Sequence, residues 1–177
     1  MDQFKKWQEQ DAGGRNRIVA LLIGALIFPI SIPILLIIVM PQVDKLTGFP
    51  SYFCGAGNIV VGALAILIGG GFALWTIAIQ IMLASGTPFP MMPTKKLLVI
   101  GPFKYCRNPM TLGTIIAYAG IATLIGSVSA LVVVVLFAAA LITYLKLVEE
   151  RELEMRFGDE YLEYKRTTPF ILPRIKG

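Results

Sequence analysis

The chain has 177 residues, of which 56% are hydrophobic and only 15% charged, and its mean hydropathy of +0.73 lies outside the range of an ordinary soluble domain. Its 16 Lys and Arg exceed its 11 Asp and Glu, for a net charge of +5, and histidine is absent. A histidine general base is therefore excluded, and the commonest zinc or iron ligand is missing. The basic balance does not point to nucleic acid, because the cations sit in short segments beside apolar runs, where anionic lipid headgroups account for them.

Residues 18–40 hold no charged side chain, and at about 1.5 Å per residue a helix of that length reaches roughly 34 Å, enough for one crossing. Pro29 and Pro33 fall inside it and predict kinks, since each removes a backbone donor. The first apolar run is too long for a cleaved signal. Residues 58–83 form a second uncharged run, with Gly69, Gly70 and Gly71 at its centre. Ala65, Gly69 and Ala73 have the small-residue spacing that lets helix backbones approach closely, as a packing seam or as a groove for substrate. The segment 84–110 carries Pro88, Pro90, Pro93, Pro102 and Pro109, which forbid a long regular helix and predict a turn-rich excursion.

Positions 111–145 are uncharged, too long for one crossing, and interrupted by Gly126, Ser127 and Ser129. They read as a hairpin of two spans, 111–126 and 129–147. The tail is strongly charged and predicts a helical continuation to about Phe157, a break at Gly158 and a further short segment with Tyr161 and Tyr164.

The fold class predicted is all-α: a single polytopic membrane domain, 1–177, with four transmembrane helices (18–40, 58–83, 111–126 and 129–147) and two polar segments, 84–110 and 148–177. Charge placement supports the count. Fifteen of the 16 cations precede Ile18, lie in 84–110 or follow Leu145, and only Lys45 lies in the first loop. An even number of crossings puts all three basic segments, and both termini, on the cytoplasmic side. Cys54 and Cys106 then fall on opposite sides, so no internal disulfide is expected, and no metal spacing exists.

Two clusters carry the candidate chemistry. The first is GPFKYCRNPMTLG, Gly101 to Gly113. Asn108 before Pro109 is biased away from helix and suited to cap the helix beginning there. A helix N-terminus beside Arg107 is either an anion site or a capped helix with its arginine at the headgroups. The second is the tail. Glu149 and Glu150 stand where the fourth helix leaves the membrane, and on a regular helix adjacent side chains diverge by about 100°, so only one readily faces a given pocket. Lys146 has the four-residue spacing to pair with Glu150.

GPFKYCRNPMTLG resembles the first signature of the isoprenylcysteine carboxyl methyltransferase and phospholipid methyltransferase superfamily, G-P-[YF]-x-[YF]-x-R-[HN]-P-x-Y-x-G. Glu149, Glu150, Phe157, Gly158, Tyr161, Tyr164 and Pro169 resemble its second signature in order and spacing. Together the two cover about residues 95–173. Asn108 stands where many members have His, and an amide still donates and accepts hydrogen bonds. Thr111 stands where the pattern has Tyr.

The resemblance implies an integral membrane methyltransferase that uses S-adenosylmethionine, bound at the cytoplasmic face between the two motifs. A sulfonium donor is already activated, so alignment and exclusion of water are the main demands, and neither metal nor histidine is obligatory. The implied cofactor-binding set is Gly101, Pro102, Tyr105, Arg107, Asn108, Pro109, Gly113, Glu149, Glu150, Phe157 and Tyr161. Arg107, Asn108 and backbone near Pro109 would hold the methionyl part, and Glu149 or Glu150 the ribose hydroxyls. Tyr105, Phe103, Phe157 or Tyr161 would wall the adenine or face the sulfonium. Arg107 and Glu150 are the catalytic candidates, as groups that orient the acceptor. The acceptor would enter from the bilayer: a prenylated cysteine carboxylate, a phospholipid amine or another small lipid-like molecule. Two other classes share the fold, a membrane reductase of the steroid 5α-reductase kind that binds a nicotinamide cofactor, and a non-catalytic scaffold.

Overall fold

Lipid offers no partner to a bare peptide group, so the uncharged runs satisfy their backbones internally as helices. A computed structural model of the protein describes residues 26–52, 55–83 and 97–173. The start of the first run, the cations before Ile18, Cys54, the prolines at 88, 90 and 93, and Arg174 to Gly177 lie outside the described residues. Among the described residues five longer helices follow in order: α1 (Ile27–Thr47), α2 (Ala56–Leu83), α3 (Pro109–Ile125), α4 (Val128–Phe157) and α5 (Asp159–Thr167). No strand occurs among the described residues. α1, α2 and α4 are long and apolar enough to cross a membrane, and α3, with 17 residues, is shorter. The chain is an all-helical polytopic membrane protein. Leu67, Leu74, Val135 and Leu136 lie on outward faces and are more than half exposed, a surface that suits lipid and would be a liability in water.

α1 runs beyond residue 40, where the sequence predicts its end, to Thr47. Asp44 does not terminate it because its carboxylate turns inward and is satisfied there. Around Pro29 and Pro33 the ladder widens into π-helical turns, Ile27–Ser31 and Leu35–Val39, in which a proline's missing donor is absorbed by a shifted register.

α2 and α3 pack antiparallel along a seam of small residues. A Cβ at Gly69 would lie 2.6 Å from the Gly113 carbonyl oxygen, and one at Gly120 would lie 2.8 Å from that of Gly62, so only glycine permits this approach. A Cβ at Gly113 would meet Ala73, and one at Gly120 would meet Ala65. The Ala65, Gly69, Ala73 series is thus a packing seam. Gly113, placed by the resemblance in the cofactor site, is part of it.

The α3–α4 turn falls at Gly126 and Ser127, as the sequence predicts. Ser127 caps α4 by accepting from the Ala130 N–H (3.1 Å), and donates its own hydroxyl to Asp44. Asp44 also accepts from the Ser129 N–H (2.9 Å), so one carboxylate ties the end of α1 to the start of α4. Between these helices Leu36, Met40, Tyr118, Ala122, Ala130 and Val134 form the core, with the Tyr118 hydroxyl donating to the Phe28 carbonyl (2.6 Å).

Candidate functional site

At the other end of α3 the chain approaches through a short 3-10 turn, Gly101–Lys104, in which Pro102 is fully buried. The next residues meet the last described segment of the tail. The Arg107 N–H donates to the Pro169 carbonyl (2.9 Å) and the Asn108 N–H to that of Phe170 (3.2 Å). Asn108 occupies the N-cap position of α3, yet its side chain does not cap the helix. Its Nδ2 donates instead to the Phe170 carbonyl (3.0 Å), the same oxygen that takes the Asn108 backbone N–H, so the docked tail draws the side chain away from the helix end. The Phe170 ring receives two cations, the Arg107 guanidinium at 5.6 Å and the Lys146 ammonium at 5.1 Å from its centroid.

Arg107 is the hub. Its Nε donates to the Thr168 carbonyl (3.1 Å), and its Nη1 pairs with Glu150 Oε1 and reaches the Tyr161 hydroxyl (3.3 Å). The Arg107 and Glu150 side chains are only 9% and 11% exposed, and a buried pair of this kind holds only while both partners are present. The second oxygen of Glu150 takes Lys165 at 3.0 Å, and Lys165 also meets Glu154 at 2.7 Å. Hydrogen bonds to Glu154 and Glu150 raise the Lys165 pKa above the ordinary lysine value. Glu150 therefore pairs with residues 43 and 15 positions away rather than with Lys146, which α4 turns toward Phe170. The expected anion at the α3 terminus is this chain's own glutamate. No described residue accepts from Arg107 Nη2, so that end of the fork keeps two donors.

α4 continues unbroken from its apolar part into the charged tail, with a π-helical turn at Leu145–Glu149. That turn corrects the expectation that only one glutamate faces a pocket. In the wider π register neighbouring side chains diverge less, and Glu149 and Glu150 line the same cavity. Glu149 is half-buried, and no described residue gives it a hydrogen bond or an ion pair. Gly158, at φ +52°, breaks the helix as predicted, in a backbone region that L side chains rarely adopt. The chain then turns back so that Tyr161 and Tyr164 of α5 lie against the first motif, their rings edge to face at 6.2 Å. The Tyr164 hydroxyl donates to the Phe103 carbonyl (2.7 Å). Burial pushes both phenols above their ordinary value, with the Arg107 hydrogen bond opposing that shift at Tyr161, so each remains neutral.

These pieces enclose one cavity. Phe103, Arg107 and Asn108 face it from the first motif, Glu149 and Glu150 from α4, and Tyr161 and Tyr164 from α5. Its enclosed part holds about 70 Å³ and opens to the surface. Leu97, Leu98 and Gln80 of α2 complete the wall. Gln80 Oε1 is buried with no hydrogen-bond partner among the described residues. Nothing in the charge pattern marks Gln80, since an amide does not ionise.

Not every expected residue reaches the cavity. Tyr105 is 41% exposed on the surface, the Phe157 ring stacks with Arg156 at 5.1 Å, and Pro109 is buried structurally at the start of α3. Gly101 backs onto Ile79, where a Cβ would clash. Cys106 is a fully buried free thiol whose pKa burial pushes up to about 11, an inert group rather than a nucleophile. Among the described residues no cluster of potential metal ligands occurs.

The cavity is lined by residues of both motifs. Neutral aromatic rings wall it, Glu149 faces it with no partner among the described residues, and Arg107 Nη2 has no acceptor among them. One family profile, described as phospholipid methyltransferase, matches residues 58–160 of the chain, from the start of α2 into α5. No curated protein and no solved structure matches it.

Proposed function

Because this chain belongs to the phospholipid methyltransferase family, we propose that it transfers a methyl group from S-adenosylmethionine to the amine of a lipid-like acceptor at the membrane surface. The observation that carries this reading is the convergence of both motifs on one cavity, with Glu149 inside it and without a partner among the described residues. When bound, S-adenosylmethionine supplies a methyl already activated on a sulfonium. Arg107, through Nη2, and Asn108 hold the carboxylate of the methionyl part, and charge-assisted hydrogen bonds of this kind are the stronger ones. Glu149 accepts from the ribose hydroxyls. Glu150 does not take that role, because its two oxygens already carry Arg107 and Lys165. Phe103 and Tyr161 wall the ring system and keep water from the sulfonium.

An amine acceptor is favoured over a carboxylate by the charges left over. A carboxylate needs a free cation beside the methyl, and the described cation that lines this cavity, Arg107, is paired with Glu150. The groups with no partner among the described residues are acceptors, Glu149 and Gln80, which suit a donor-bearing head group. The polar end then lies on the side of the membrane that carries most of the positive charge, both termini on the cytoplasmic face.

Calorimetry on detergent-purified protein tests the cofactor. S-adenosylhomocysteine is expected to bind with a micromolar-range constant and NADPH not at all. Binding of NADPH alone would replace this reading with a reductase.

A further inference from the structure

α2 lies outside both motifs, and its last stretch, Ile77 to Leu83, is wholly apolar apart from Gln80. One turn earlier Thr76 has spent its hydroxyl on the Phe72 carbonyl (2.8 Å), so Gln80 is the one polar side chain that this end of the helix has to offer. An amide on an otherwise apolar membrane helix is costly unless something meets it. Gln80 Oε1 is buried, no described residue donates to it, and it lies in the wall of the cavity that holds Glu149. Two hydrogen-bond acceptors with no donor among the described residues therefore face one space, and a ligand that enters it can supply the donors.

We infer that Gln80 is a substrate contact: its Oε1 accepts a hydrogen bond from an N–H of the acceptor amine and so aims the nitrogen lone pair at the methyl. This inference rests on the methyltransferase reading and assigns the acceptor side of the same site. α2 and α4 are the membrane-crossing helices in that wall, and Gln80 lies on the one that carries neither motif. In the transfer the lone pair forms the N–C bond as the C–S bond breaks, the bonding electrons return to sulfur, and the new ammonium releases its extra proton to water. A neutral primary or secondary amine keeps an N–H for Gln80 while its lone pair reacts. A carboxylate has none to give.

The test uses full-length protein in mixed micelles, with a short-chain phosphatidylethanolamine as the amine probe. Gln80→Met keeps the length and removes the acceptor, and Gln80→Glu keeps an acceptor oxygen. Expected are a rise of about ten-fold in KM for the amine in Gln80→Met, little change in Gln80→Glu, and unaltered S-adenosylhomocysteine affinity in both. Unchanged KM in Gln80→Met, or an equal rise in both variants, would overturn the contact. Loss of S-adenosylhomocysteine binding with KM unchanged would make Gln80 a cofactor residue and overturn it too. Wild-type protein that binds no S-adenosylhomocysteine, or methylates no amine, fails at the earlier step and takes the proposed function with it.

Discussion

Two buried ionic side chains sit at opposite ends of α3, a helix of 17 residues and so about 26 Å long, and they are handled differently. Asp44 is satisfied locally: a hydroxyl and an N–H at the start of α4 meet its carboxylate, which acts as a clamp between helices. Arg107 also ties distant segments together, joining the loop before α3 to α4, α5 and the tail. Around it, though, Glu149, Gln80 Oε1 and Arg107 Nη2 have no described partner. A buried polar group that its neighbours complete belongs to the fold, whereas a convergent set left incomplete belongs to a ligand.

The contrast breaks most visibly at its hub. Arg107→Ala strands Glu150 in a buried site and removes a donor to the Thr168 carbonyl, so unfolding in detergent should show a loss of about 3–5 kcal/mol together with loss of S-adenosylhomocysteine binding. Lysine should not rescue it, because a single ammonium cannot reproduce the fork. Gly69→Val comes next. It forces the α2–α3 seam apart, at a cost of about 1–3 kcal/mol or more, and should weaken both ends at once. Gly70→Val, in open space on the same helix, is the control and should leave the melting temperature alone.

Asp44→Ala separates the two ends. It leaves the Ser129 N–H unmet and should lower stability by about 1–3 kcal/mol, while S-adenosylhomocysteine affinity below the melting transition stays at the wild-type value. A parallel loss of binding would mean that the ends are not independent. Glu149→Ala should have the smallest effect on stability, near zero, because it removes a carboxylate that no described residue pairs. Its titration with S-adenosylhomocysteine should nevertheless weaken by about ten-fold or more, and wild-type affinity would take the ribose contact away from Glu149.

Much of this architecture was legible. Uncharged runs, the Gly126 and Ser127 turn, the Gly158 break and the small residues of α2 each have one physical cause that acts through sequence neighbours, and each appears in the structure. The motifs, too, brought Arg107, Asn108, Glu149, Glu150 and Tyr161 to one cavity. What the sequence hid depends on the tail folding back. Lys165 as a second partner of Glu150, the Phe170 carbonyl that diverts Asn108 from capping, and the Phe170 ring that draws Lys146 aside all lie far along the chain from the residues they serve. Local spacing rules made Lys146 the natural partner of Glu150, and tertiary contact overrode them. The shared orientation of the two glutamates was hidden because it depends on a local change of helical register, and Gln80 because a neutral amide leaves no trace in a count of charges.

The central claim is that the end holding Glu149 and Gln80 is a methyl-donor pocket. It is tested most directly by incubating purified protein with methyl-labelled S-adenosylmethionine and a total lipid extract, then separating the lipids. The account predicts label on an amine-bearing lipid, greatly reduced in Glu149→Ala and retained in Asp44→Ala below its melting transition. Folded wild-type protein that puts no label on any lipid, or puts it only on a carboxylate, would contradict it.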